Sequence, residues 1–174
     1  MTKLLCLNQM AGPLFRQLVE KIADSSVDLV ELVSGHPDLF DNPKISKNLV
    51  VIKAPTYNRK SRVTRLLSWS AYLVVATSKL IRLKKNDAVI LSTNPPLLVL
   101  LVFAISKVIG FRYLCMIYDI YPDVLLRKGL ISENNLITKI WRNLIRLAYK
   151  RAEMVVTLGT RMAHNLESHY LPLS

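Results

Sequence analysis

Short apolar runs alternate with longer stretches of helical period along this chain, and the alternation predicts its elements. KLLCLN (3–8), VDLVELV (27–33), LVVIKAP (49–55), AVILST (88–93), FRYLCMIY (111–118) and EMVVTL (153–158) read as strands rich in Val, Ile and Leu. Helical stretches lie between them. Gly12-Pro13 opens the first, which runs to about residue 24 with Phe15, Leu18, Val19 and Ile22 on one face. A second covers 61–83. A third starts at Asn94, whose side chain is placed to cap it ahead of Pro95 and Pro96, and stops at Gly110. The fourth covers 134–152, and residues 34–48 read as a polar loop. Near-continuous apolar strands separated by helices imply a parallel sheet covered on both faces. The predicted fold class is therefore α/β: a Rossmann-like, doubly wound, mainly parallel sheet with helices on both faces, forming a single domain over residues 1–174.

In such sheets ligands bind beyond the carboxyl ends of the strands. Three polar strand ends are expected to meet there: residues 8–12, then Thr93 with Asn94, then YDIYPD at 118–123. The last is unusual. A buried strand commonly stops at Gly, Asn or Ser, whereas this one stops in an acid, two aromatics and a second acid around a proline. Asp119, between Tyr118 and Tyr121, is placed to accept hydrogen bonds from a sugar hydroxyl or to act as a base. Its structural alternative is to cap the short helix that Pro122 begins. Gly12 lets backbone N–H groups approach a phosphate, or it is simply a turn residue. One glycine is not a dinucleotide fingerprint, and no Walker lysine, G-x-S-x-G elbow or H-E-x-x-H is present. His36, His164 and His169 read as unpaired surface residues. Cys6 and Cys115, inside strands and without metal-site spacing, read as buried free thiols of a reducing compartment.

The 61–83 helix carries two stripes. At about 100° per residue, Val63, Leu66, Leu67, Leu73, Val74, Leu80 and Ile81 fall on one side, the expected core face. Arg62, Arg65, Trp69, Tyr72, Ala76, Lys79 and Leu83 fall on the other, mixing cations with aromatics suited to headgroup level. Arg62, Arg65, Trp69, Tyr72, Lys79 and Arg82 are thus expected to meet an anionic membrane surface, the alternative being an ordinary solvated basic face. In the 134–152 helix Leu136, Ile137, Ile140, Leu144, Leu147 and Ala148 are expected inward, with Lys139, Arg142, Arg146 and Lys150 as a solvated outer row.

Charge sharpens this picture. The 174 residues include 24 Lys and Arg against 12 Asp and Glu, a net charge of +12. Such a surface attracts phosphates, and a mean hydropathy of +0.28 leans toward lipid rather than nucleic acid. No apolar run approaches the roughly 20 residues that span a bilayer, and the first residues are too short an apolar run for a signal peptide. The expected location is cytoplasmic, peripheral on the inner face of the plasma membrane. A basic nucleic-acid-binding module is the rival class. It fits less well, because the cations are interleaved with Trp and Leu on helices rather than with exposed aromatics on a sheet.

The passages STNPPLLVLLVFAISKVIGFRYLCMIYDIYPDVLLRKGL and RLAYKRAEMVVTLGTRMAHNLE give the chain a family likeness. It resembles the N-terminal, acceptor-side domain of family 4 glycosyltransferases of the GT-B fold, particularly those that build bacterial surface polysaccharides. The likeness covers about residues 92–166, and the first ninety residues only by strand–helix order. It implies one half of a GT-B fold. It also implies transfer from a nucleotide-sugar donor to an acceptor, with retention, no metal and no further cofactor. By the same likeness Tyr118 and Asp119 are the catalytic candidates, Tyr118 standing where the family often has histidine. Gly12, Asn94, Tyr121 and Asp123 are the acceptor and donor-phosphate candidates, with Ala11-Gly12 in place of the common Gly-Gly. Gly159 stands where serine is frequent. The C-terminal donor-binding domain of the family has no counterpart here. The expectation is accordingly a truncated enzyme or a subunit completed by a separate donor-binding chain, acting on a lipid-linked saccharide acceptor, with no nucleic-acid partner. A non-catalytic membrane-surface subunit that recruits a catalytic partner is the remaining alternative.

Overall fold

A computed structural model describes residues 3–25, 28–36 and 47–171. Val27 and the 37–46 part of the expected polar loop lie outside the described residues. All six expected strands form: β1 (Lys3–Leu7), β2 (Leu29–Ser34), β3 (Leu49–Lys53), β4 (Ala88–Ser92), β5 (Arg112–Ile117) and β6 (Met154–Thr157). Every pairing is parallel, in the order β3-β2-β1-β4-β5-β6. This is the Rossmann-like α/β fold, and its strand order reverses direction between β1 and β4, where such folds open a ligand crevice.

Alternation along the strands feeds two cores. Leu4, Cys6, Val30, Leu32, Ile90 and Met116 point to one face, which α1 (Pro13–Ala23) covers with Phe15, Val19 and Ala23. Leu5, Leu7, Val33, Val89, Leu91, Tyr113, Cys115 and Ile117 point to the other. There α2 (Arg62–Leu80), α3 (Leu98–Ile109) and α5 (Leu136–Arg151) lie side by side. The short α4 (Asp123–Arg127) precedes α5, and the C-terminal α6 (Thr160–His169) brings Leu166 and Tyr170 into the same core. Both cysteines are buried and free, and burial pushes both thiols up to about 12.

Local signals explain most helix boundaries. Ser61 and Thr64 form a reciprocal capping box at the start of α2, each side chain accepting from the other's backbone N–H at 3.0–3.1 Å. Asn135 Oδ1 accepts from the Ile137 N–H at 2.9 Å to open α5. Gly110 stops α3 in the left-handed region, φ 89°. One cap is corrected. α3 begins at Leu98 rather than Asn94 and has no side-chain cap. Residues that precede a proline are held out of the helical region, so Asn94 and Pro95 cannot join the helix.

The larger correction concerns which way two helices face. On α2 the buried residues are Ser68, Tyr72, Ala76 and Leu80, while Val63, Leu66, Leu67, Val74 and Ile81 are exposed. Of the residues expected inward, only Leu80 and the half-buried Leu73 meet the core. On α5 the buried residues are Thr138, Ile145, Ala148 and Tyr149, while Leu136, Ile137, Ile140, Leu144 and Leu147 are exposed. Ala148 alone of that expected inner set is buried. The reason is hydrogen bonding combined with small side chains. Tyr72 O–H donates to the Val33 carbonyl at 3.0 Å, and Tyr113 O–H on β5 donates to the Ala148 carbonyl of α5. Ser68, Ala76 and Ala148 then let each helix approach the sheet closely.

Candidate active site

The loops leaving β1 and β2 are tied into one rigid rim. The buried Gln9 donates from Nε2 to the carbonyls of Pro55 and Ser68, both at 3.0 Å, and its own carbonyl accepts from the Gly35 N–H at 2.9 Å. Ser34 Oγ donates to the Gln9 carbonyl and accepts from the Ala11 and His36 N–H groups. Gly35 is required by contact: a Cβ there would stand 2.4 Å from the Pro55 carbonyl oxygen. Gly12 is different. It has an ordinary φ of −71°, no side chain caps α1 behind it, and a Cβ would meet nothing within 4 Å. Among the described residues, the side of Gly12 where a Cβ would stand is therefore open, beside the point where the strand order reverses.

The end of β5 is positioned from β4. Thr93, itself buried, accepts at Oγ1 from the backbone N–H groups of both Tyr118 and Asp119, at 3.1 Å each. One hydroxyl thus fixes the turn that presents Asp119. The Asp119 side chain is exposed and makes no hydrogen bond among the described residues. It does not cap α4, whose N-cap is Pro122 and which has no side-chain cap, so the capping alternative falls away.

An open cleft of about 790 Å³ adjoins this carboxylate, lined by Tyr118, Asp119 and Ile120, by Arg127 of α4, and by residues from Gly159 to His169. Arg161, His164, Asn165 and His169 line it from α6. Tyr121, on the far side of Asp119, stacks on Trp141 with ring centroids 6.3 Å apart. A second stacked pair, Tyr57 and Trp69 at 5.8 Å, carries Arg65 over its indole. Tyr57 and Arg65 act electrostatically on Tyr121, so the two pairs belong to one neighbourhood. Burial raises the Tyr118 phenol above its ordinary value. Burial first, then the charges of Asp119 and Tyr57 opposed by Arg65, pushes Tyr121 up to about 12. Both phenols therefore stay neutral donors near pH 7.

The rim brings Gly12, Asn94, Tyr118, Asp119 and Tyr121 to one edge of the sheet, whereas Asp123 is engaged elsewhere. Asn94 contributes its backbone carbonyl to Gln9 N–H and Ser92 Oγ. Asp123 is occupied within the fold: one oxygen accepts from Tyr170 O–H at 2.8 Å and pairs with Arg142 at 3.2 Å. The expected membrane stripe is dispersed. Tyr72 is fully buried, and Arg65, Trp69 and Lys79 are half-buried, the first two beside the aromatic rim. Arg62 and Arg82 stand exposed. Sequence reasoning did not single out Tyr57, Trp141, Arg127 or Arg161, while His164 and His169 are exposed, as the sequence reading has them, and line the cleft. A signal existed for the histidines: His164, Asn165, Ser168 and His169 recur at the spacing of one helix face just after a strand end. Among the described residues no three His, Cys, Asp or Glu side chains gather into a metal-binding cluster.

An exposed carboxylate, neutral phenols, stacked aromatic rings and guanidinium groups form a set that can hold sugar hydroxyls, sugar faces and phosphates together. The fold that carries them is the one found in each half of a GT-B glycosyltransferase. No protein-family model matches the chain. Among curated proteins it is similar to the Probable glycosyltransferase WbjE of Pseudomonas aeruginosa, 25% identical over 132 residues. The match covers 75% of this chain and 32% of that protein, so the chain spans about a third of its relative's length. The likeness supports a relationship to glycosyltransferases.

Proposed function

We propose that the chain is the acceptor-binding half of a retaining, family 4 glycosyltransferase of the GT-B fold. It serves transfer of a sugar from a nucleotide-sugar to a lipid-linked saccharide at the inner face of the plasma membrane. A donor-binding domain or a separate donor-binding chain supplies the other wall of the site. The observation that carries this reading is Asp119, exposed and without a hydrogen-bond partner among the described residues, just past the carboxyl end of β5, while its backbone is held by Thr93. A carboxylate free of structural duties, beside neutral phenols, accepts the hydrogen bond of an acceptor hydroxyl and orients its oxygen toward the anomeric carbon. As that oxygen forms its bond to the anomeric carbon, its proton passes to the Asp119 carboxylate, the bond to the nucleoside diphosphate breaks, and the nucleoside diphosphate leaves toward the start of α1 at Gly12. The stacked Tyr121 and Tyr57 pairs offer platforms for further sugar rings of the acceptor, and Arg127 and Arg161 offer charge to its pyrophosphate.

The test is transfer of a labelled sugar into the lipid fraction, with the donor-binding half supplied. Asp119→Asn is expected to lower transfer by about 10²-fold or more without lowering the thermal midpoint. Near-normal turnover in that variant overturns the assignment.

A further inference from the structure

The helices α2, α3 and α5 on the second face of the sheet turn apolar residues to the outside. Val63, Leu67, Val74 and Ile81 follow one another down the outer side of α2, with Val74 70% exposed. Leu136, Ile137, Ile140 and Leu147 do the same on α5, with Ile137 70% exposed. Between them Val108 of α3 is 86% exposed. Scattered single apolar residues on a surface are normal, but stripes on two helices of one layer mark an interaction face.

Charge identifies what the face meets. Residues 54–86 and 134–152 contain no Asp or Glu. Six cations flank α2, all exposed: Arg59, Lys60 and Arg62 at its start, and Arg82, Lys84 and Lys85 at its end. None of the six forms an ion pair among the described residues. A second copy of the chain would bring like charges together, which opposes pairing. A broad, shallow apolar layer rimmed by cations is complementary instead to an anionic bilayer surface, where acyl chains take the apolar side chains and headgroup phosphates take the cations.

We infer that the outer face of α2 and α5 is the surface by which the chain lies on an anionic membrane, with Leu67 and Ile137 in the acyl boundary and the α2 flanks on headgroup phosphates. In a parallel sheet each crossover helix starts at the carboxyl ends of the strands, so the N-terminal ends of α2 and α5 share the rim of Asp119. With the outer face docked, these ends set that rim at the edge of the contact, at headgroup height, where a lipid-linked saccharide is presented. The inference rests on the acceptor reading for its purpose, while its test needs no transfer.

The experiment is co-sedimentation with vesicles of phosphatidylcholine alone and of phosphatidylcholine mixed equally with phosphatidylglycerol, at low and high salt. The chain is expected to pellet with the anionic vesicles only, and high salt to weaken the binding without abolishing it. Leu67→Ser/Ile137→Ser and, separately, Arg62→Glu/Arg82→Glu are each expected to cut the partition by about tenfold or more, with unchanged thermal midpoints. Asp119→Asn is expected to pellet like the parent, so failure of the transfer reading is distinguishable from failure of this one. The inference is overturned if the parent stays in solution with anionic vesicles, or if both double variants pellet as it does. It is also overturned if L67S/I137S abolishes self-association or capture of a protein partner while vesicle binding is absent.

Discussion

The first and second faces of this sheet are covered by helices that treat their apolar residues in opposite ways. α1 is the ordinary case: Phe15 and Val19 are buried, while Gln17 and Lys21 are exposed. α2 buries Ser68, Tyr72, Ala76 and Leu80 and exposes Val63, Leu67 and Val74. The difference shows what helical periodicity measures. It finds the side richest in aliphatic carbon, and that side is the core side only when water covers the other. α1 has one apolar side, so the pattern determines its orientation. α2 has two, and the choice went to the side that supplies small residues and a hydrogen-bonding tyrosine to the sheet.

Four experiments break or sharpen that contrast, in descending order of expected effect. The largest is alkaline unfolding. Buried ionisable groups crowd the second core: burial holds Cys115, Tyr72, Tyr113, Tyr149 and Tyr170 above their ordinary values, whereas the first core contains Cys6. A raised pKa in the folded state means stability that is complete below the unfolded value and is lost as pH rises toward the folded one. Loss should begin near pH 9 for the thiols and near 10 for the phenols. From an ordinary 9.0 to about 12, each thiol alone accounts for on the order of 4 kcal/mol by pH 12. Thermal midpoints measured from pH 8 upward should fall continuously, and a flat profile contradicts the buried placement.

Next, Leu80→Ala should destabilise by about 2–5 kcal/mol through loss of burial and a residual cavity, whereas Leu67→Ala should stay within about 0.5 kcal/mol. Urea unfolding of the two variants decides the orientation of α2, and equal costs would reverse it. Third, Gly35→Ala should cost about 1–3 kcal/mol, as expected of an overpacked position, because its Cβ would meet the Pro55 carbonyl. The smallest effect belongs to Gly159, where a Cβ meets nothing within 4 Å. Gly159→Ser there should change stability by less than about 0.5 kcal/mol, measured by the same unfolding assay.

Much of the fold was legible in the sequence, and less of the site. The six strands were visible because Val, Ile and Leu run almost unbroken through them, a pattern that needs no knowledge of neighbours. Asp119 was visible because it interrupts such a run at a strand end, where the topology places ligands. Its surroundings were not. The cleft joins residues 118–120 and 127 to the turn and helix after β6. The aromatic rim joins Tyr57 to Trp69 and Tyr121 to Trp141, partners separated by more than a helical turn.

The sequence by itself determined the element order, the α/β class and the edge on which polar groups would gather, since these follow from local periodicity and the short reach of each connection. Tertiary structure alone decided that α2 and α5 turn their aliphatic sides outward. It also decided that Asp123 belongs to Arg142 and Tyr170, and that Trp69 stands at the rim beside Arg65. Those outcomes depend on contacts such as Tyr72 to Val33, 39 residues apart in the chain. Local pattern carries no information about which of two comparably apolar sides will find its partner across such a distance.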